Sequence, residues 1–217
     1  MKLVDMNSWP RRESWEYFSS ISQPFYALTY RQDVTALHDF AREKGLSFYY
    51  AMVWAVTEAV NAVEAFRMTV TPEGPAVLPR RRPSFTVLRK GEESFRILSM
   101  DASPDIEVFC AAASEKEARQ TAFLEQSGET RDLIYISCLP WLDVTGLTNE
   151  RDFDPDDAIP RIAWGRYREE KGRLVLGMSL EVNHRLVDGL HIGLFARELD
   201  RVMDSLRDRK QNNTLRY

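Results

Sequence analysis

His184, Asp188 and His191 are the residues whose types and spacing invite chemistry, standing at i, i+4 and i+7 within LVLGMSLEVNHRLVDGLHIGLF. On one continuous helix that spacing would line up three possible metal ligands. The local sequence speaks against such a helix, because apolar and polar residues alternate from Leu174 to Asn183 and Gly189 follows Asp188 directly. Beyond the turn the period lengthens, with Leu194, Phe195, Leu199, Val202, Met203 and Leu206 recurring at helical spacing. The expectation is a strand, a polar turn and a helix, with His184 at the handover and no metal site. An imidazole there suits proton transfer, since its ordinary pKa of about 6.5 lets it take and return a proton near neutrality. A purely structural histidine, with Asp188-Gly189 simply opening a helix, is the plainer alternative. Other catalytic signatures are missing: the chain has no GxSxG elbow, no GxxxxGK and no GxGxxG.

The elements that must position these residues come from a chain of 217 residues, 44% hydrophobic, enough for one core and one domain spanning 1–217. A net charge of -4 gives no electrostatic reason to expect nucleic acid or an anionic membrane as partner. The Arg80, Arg81, Arg82 cluster is expected to be a solvated loop. Cys110 and Cys138 fit no metal or redox spacing and read as reduced core residues, which with the absence of a signal-like N-terminus predicts a cytoplasmic home. Phe48 to Val63 is the most apolar run, but Thr57, Glu58 and Asn61 make it a buried helix rather than a membrane span.

In order, Ser8 or Trp9 is expected to cap a helix through RRESWEYFSS, with Pro10 near its first position. A strand from Phe25 to Arg31 follows, then a helix opened by Asp33 or Thr35 and stopped at Gly45, with Leu37, Phe40 and Ala41 inward and His38 structural. Ser47 caps the buried helix. FRMTVT, PAVL, SFTVL and SFRILS read as antiparallel strands and hairpins, and Asp105 to Gln126 as a long helix with Ile106, Phe109, Ala113, Ala118 and Phe123 inward. DLIYISCL, PWLDVTGL, RIAWGRY and the Leu174 strand are read as further strands, with RDFDPDDAIP an acidic loop. Helices and strands so interspersed predict a two-layer α/β sandwich around one mixed sheet.

His184-Arg185-Leu186-Val187-Asp188-Gly189 resembles the His-x-x-x-Asp-Gly signature of CoA-dependent acyltransferases. SWPRRESWEYF, SFYYAMVWAVTEAVN, FRMTV, PSFTVL, ESFRILS, SCLPWLDVTG, IAWGRY and VNHRLVDGLHIG are similar, in order and over nearly the whole chain, to the landmarks of chloramphenicol acetyltransferases. That resemblance implies a homotrimer of two-layer α/β subunits with each active site in a cleft between neighbours. It implies acetyl-CoA as co-substrate, no permanently bound cofactor, and a small hydroxylated acceptor. His184 would be the general base, and Asp188 would pair with Arg11 to hold the histidine loop. Thr145 and Gly146 would mark the oxyanion region, and Tyr49, Arg166 and Tyr167 the CoA channel. Phe18, Tyr26, Phe95, Ile97, Val144 and Arg161 would line the acceptor pocket. The sequence departs from the pattern where Gly146 replaces an oxyanion-stabilising serine, Ala163 a threonine, and Asn183 the first of a paired histidine. Arg161 stands at an apolar family position, which argues for an acceptor more polar than chloramphenicol. The alternative is a catalytically weak or inactive trimeric homologue that binds a small molecule. The acyltransferase core of a ketoacid dehydrogenase shares the signature as well.

Overall fold

A computed structural model describes residues 1–125, 130–152 and 154–214. Its strands are β1 (Lys2–Leu3), β2 (Phe25–Asp33), β3 (Met68–Thr71), β4 (Gly74–Val77), β5 (Arg82–Val87), β6 (Arg96–Ser99), β7 (Leu133–Leu139), β8 (Arg161–Gly165), β9 (Arg168–Glu170) and β10 (Arg173–Asn183). Its helices are α1 (Arg12–Ser19), α2 (Thr35–Lys44), α3 (Phe48–Ala62), α4 (Ile106–Arg119) and α5 (Gly189–Thr214). The main sheet runs β2-β10-β8-β7-β5-β6, with β9 also paired to β10. It is mixed, because β5–β7 and β7–β8 are parallel while the other pairs are antiparallel. The two-layer α/β sandwich is as expected, and a small second sheet, β1-β4-β3, is added to it.

The helical layer covers one face of the sheet. Ser47 caps α3 by accepting a hydrogen bond from the Tyr50 N–H, and α3 buries every residue from Tyr50 to Thr57. Its apolar side chains meet Leu176, Met178, Leu180 and Val182 of β10 and Phe195, Leu199 and Met203 of α5 in a single core. No helix among the described residues is long and apolar enough to cross a membrane.

The other face of β10 is equally buried, against an irregular segment rather than helices. The carbonyl of Val144 lies against Gly177, where a Cβ would come within 1.7 Å of its oxygen. Ser179 Oγ donates to the Leu147 carbonyl at 2.7 Å, and Glu181 Oε2 accepts from the Asn149 N–H at 2.9 Å. Asn183 Nδ2 donates to the carbonyls of Pro155 and Asp157 at 2.8 and 3.0 Å. Alternate residues of one strand thus hold successive points of residues 144–157, as the two-residue period of a strand allows. PWLDVTGL is therefore not a strand: its residues hydrogen-bond across the sheet face instead of along an edge, with Val144 buried and Trp141 and Leu142 exposed.

Other expectations are corrected. The first helix is entered at Arg11 without a side-chain cap, and Pro10 precedes it. The helix expected to reach Gln126 ends at Arg119; Leu124 instead bridges to Ile97, Ala118 and Phe123 are exposed, and Gln126 lies outside the described residues. The Arg80–Arg82 stretch is not a solvated loop. Arg82 opens β5, and Arg81 is wholly buried, donating to the carbonyls of Phe66, Met68, Arg131, Leu133 and Ala158 at 2.5 to 3.1 Å. Burial draws its guanidinium down to about 10, and those carbonyls are what make the charge tolerable.

Arg81→Met should accordingly cost about 3 kcal/mol or more, since buried carbonyls lose their donor. Urea denaturation measures this, and a loss under about 1 kcal/mol would show that the carbonyls find other partners.

Candidate active site

His184 follows the last residue of β10 and is fixed there by its own N–H, which donates to the Pro24 carbonyl at 2.7 Å. Its ring lies between two others: Phe18 of α1 stacks at 4.0 Å between centroids with a 27° tilt, and Tyr26 of β2 at 4.8 Å with 18°. Tyr26 arrives because the antiparallel register puts it opposite Val182. Neither nitrogen of the ring has a hydrogen-bond partner among the described residues, and neither is sealed from solvent. A ring so held can tip little, while its nitrogens remain open to a reactant. Burial lowers its pKa below 6.5; the Asp188 charge opposes this and Arg11 adds to it. His184 is thereby neutral, the form of a base, at pH 7.

The turn after it is braced from α1's entry. Arg11 Nη1 pairs with Asp188 Oδ2, and Arg11 Nη2 lies 3.4 Å from the His184 carbonyl. Burial would raise the Asp188 carboxyl, but the hydrogen bond and charge of Arg11 bring it below its ordinary value. Asp188 Oδ1 also accepts from the Leu190 N–H at 3.0 Å and lies 2.9 Å from His191 Nδ1. His191 escaped the sequence reading as anything but a metal ligand; its i+3 spacing from Asp188 on the first turn of α5 was the available signal. Among the described residues no three His, Cys, Asp or Glu side chains are grouped to hold a metal ion.

Sequence-predicted residues fall into two separate groups. His184, Phe18, Tyr26, Arg11 and Asp188 meet at the end of β10. Val144, Thr145 and Gly146 sit further up the sheet, where Leu147 is tied to Ser179, five residues from His184 or about 17 Å at strand rise. Ile97 lies within β6 and Phe95 just before it, four strand spacings from β10, or about 19 Å. Phe95 packs on Phe123 and is exposed. Arg166 is exposed, its N–H donates to the Leu142 carbonyl at 2.7 Å, and its guanidinium has no ion-pair partner among the described residues. Tyr167 meets His38 and Phe48 edge to face. Tyr49 points inward, its hydroxyl donating to the Thr86 carbonyl at 2.6 Å, and burial raises its pKa, so only its ring could face a ligand. Arg161 does not offer the free cation expected of it. Its Nη1 is held by Asp157 at 2.7 Å and by the Ile159 carbonyl at 3.3 Å, and its guanidinium lies 5.3 Å from the Tyr135 ring centre.

Because the folded pKa of His184 is depressed, the unfolded chain binds its proton at higher pH. Its contribution to stability is present above pH 6.5 and lost as pH falls through the folded value, and His191, also lowered first by burial, acts in the same direction. Proton NMR titration of the histidines should place both below 6.5, and denaturation should show stability falling on acidification below that pH. Titration of His184 at or above 6.5 would contradict the buried, neutral ring.

Comparison with known proteins agrees with this architecture. The profile of the family described as chloramphenicol acetyltransferase matches residues 1–200. A chloramphenicol acetyltransferase of Streptomyces acrimycini is 33% identical over 204 residues, covering 92% of this chain and 93% of its own, and chloramphenicol acetyltransferase 2 of Escherichia coli is 29% identical over 206 residues, covering 94% and 97%. A solved structure of a chloramphenicol acetyltransferase superposes with a TM-score of 0.84 at 21% identity, over 94% of this chain and all of that one. A dihydrolipoamide acetyltransferase of Azotobacter vinelandii shares the fold at a TM-score of 0.64 and 18% identity, over 92% and 87%. Matched by the family profile over residues 1–200 and by a relative at 33% identity over nearly its whole length, this protein belongs to the chloramphenicol acetyltransferase family, whose members are acetyl-CoA-dependent acyltransferases.

Proposed function

We propose that this chain is an O-acetyltransferase that moves the acetyl group of acetyl-CoA to a hydroxyl of a small molecule, with His184 as general base. The observation that carries this reading is the His184 ring itself: clamped between Phe18 and Tyr26, neutral, and with nitrogens open to a reactant. An open nitrogen takes the acceptor's hydroxyl proton as its oxygen attacks the thioester carbonyl carbon. The carbonyl π pair moves to oxygen; when the double bond re-forms, the C–S bond breaks and the CoA sulfur recovers the proton from His184. Arg11 and Asp188 position the base through the His184 carbonyl and do not touch the reacting atoms.

The two groups of site residues belong to one site only if copies of the chain assemble, which supports a homotrimer with each cleft shared between neighbours. His184, Phe18 and Tyr26 would come from one subunit, and Thr145, Gly146, Arg166 and Ile97 from the next. Arg166 would meet a phosphate of CoA as an unpaired cation. On the acceptor side, Arg161 with Asp157 makes a polar but neutral surface, which favours a hydrophilic acceptor over chloramphenicol without requiring an anionic one.

CoA release from acetyl-CoA, followed with a thiol reagent against a panel of hydroxyl and amine acceptors, tests the activity. His184→Ala should lose at least about 10³-fold in kcat while its circular dichroism and Tm stay near the parent's. Unchanged release would remove His184 as base. Sedimentation should give a trimer, and a monomer at micromolar concentration would remove the shared cleft. Asp188→Asn and Arg11→Ala should lower Tm as well as rate, each leaving a half-buried partner unpaired; parent-like melting in either would show that the pair does not brace the turn.

A further inference from the structure

Resting on the acetyl-transfer reading, we infer that Asn183 and Arg185, the residues on either side of His184, are positioning residues that close a clasp on the Pro155 carbonyl and so hold the base through its neighbours.

A base that keeps its ring nitrogens open has to be fixed by the chain around it. Asn183 is the hub of that support. Its main-chain carbonyl accepts from the N–H groups of Leu186 and Val187, both at 3.0 Å, which closes the turn carrying His184. Its side-chain Oδ1 accepts from the Arg185 N–H at 3.1 Å and from Arg185 Nε at 3.2 Å, so the two neighbours are joined across the base. Its Nδ2 donates to the carbonyls of Pro155 and Asp157 at 2.8 and 3.0 Å. Arg185 reaches the same anchor, because its Nη2 donates to the Pro155 carbonyl and to Asp156 Oδ1, the latter at 3.0 Å. One carbonyl of the acidic loop thus receives a donor from each flank of the base.

The planar guanidinium makes this possible, since Nε meets one partner while Nη2 meets two others and the plane remains free to stack. Its centre lies 4.9 Å from the Trp15 ring of α1. Trp15 and Phe18 are three residues apart on that helix and share a side of it, and Phe18 is the ring stacked on His184 at 4.0 Å. Arg185 therefore acts on the base twice, through the turn and through the helix that lays Phe18 on the imidazole. At 4% and 5% exposure, neither Asn183 nor Arg185 can readily trade its hydrogen bonds for water. The loop they grip serves the acceptor side as well, because the Asp157 carboxylate holds Arg161 at 2.7 Å and Arg151 at 3.0 Å. Proton transfer needs near-attack geometry, and a displacement of about 1 Å can cost about 10²-fold in rate.

The test compares Arg185→Lys and Arg185→Ala with the parent, each assayed for CoA release well below its Tm and with His184 titrated by proton NMR. The titratable and charged groups facing the ring, Tyr26 from β2, Arg11 from the entry to α1 and Asp188 from the turn, remain in both variants. Lysine keeps the positive charge and lacks the fork, so a change in that variant reports geometry rather than a lost cation. Both variants should lose at least about 10-fold in kcat with KM for acetyl-CoA nearly unchanged, and the His184 pKa should rise toward 6.5 as the loosened ring gains water. Where the alanine variant does not fold, the lysine variant decides alone. A folded lysine variant with the parent's kcat and the parent's His184 titration overturns the proposal, as does a rise in KM with kcat unchanged. A parent that releases no CoA defeats the proposed function, and the NMR titration then still decides whether the clasp holds the ring; an active parent beside a parent-like lysine variant defeats only the clasp.

Discussion

The rest of the structure depends on β10 being buried on both faces by different kinds of partner. Toward the helices it offers leucine, methionine and valine, and the gain is apolar area removed from water. Toward the other side it offers Gly177, Ser179, Glu181 and Asn183, which cannot be covered by another apolar layer without stranding polar groups. The segment after β7 meets that demand by bringing its own carbonyls and N–H groups to the strand. Arg151 continues the arrangement, bonding Glu181 at 2.8 Å and Asp157 at 3.0 Å while lying 3.6 Å above the Phe25 ring. One strand therefore sets both the place of His184, at its end, and the course of the loop through Thr145 and Gly146, along its face.

This arrangement explains why the histidine and the loop cannot meet within one chain. The strand that fixes both also separates them, and no plausible movement of a loop held by Ser179, Glu181 and two glycines closes about 17 Å. What one chain builds completely is the setting of His184: its stacked ring, the braced turn and the surroundings that hold it neutral. What it builds separately is a polar surface across β8, β7, β5 and β6, where Thr86 and Ser137 lie 3.3 Å apart and Ser99 donates to Ser84 at 2.9 Å. On the proposed reading, association of copies would bring the first against the second.

Much of this was legible in the sequence, and the failures share a cause. Periodicity found α2, α3, β10 and α5 because each has one continuous apolar pattern that local physics and tertiary packing both favour. The Asp188–Arg11 pair came through resemblance, as did the role proposed for His184; spacing alone left a structural histidine as the plainer reading. PWLDVTGL misled because Leu142 and Val144 are spaced as in a strand, yet Trp141 and Leu142 face solvent and the Leu147 carbonyl bonds the Ser179 side chain of another strand. Arg81 misled because charge runs are usually solvated, and only the fold places five carbonyls around it. Arg161 stood out as polar where the resemblance implies an apolar residue, but its neutralising Asp157, four residues earlier in the acidic loop, was visible in the sequence and went unused.

The shared cleft is the central claim, and subunit exchange tests it most directly. His184→Ala subunits lack the base, and Gly146→Trp subunits, whose side chain has open space within the chain, would block the facing half. Each alone should be inactive. Dissociated, mixed in equal amounts and reassembled, they should recover about a quarter of the parent rate, because random assembly places an intact histidine half against an intact loop half in that fraction of clefts. Absence of recovered activity in mixed trimers whose exchange has been verified by mass would contradict a site built from two chains.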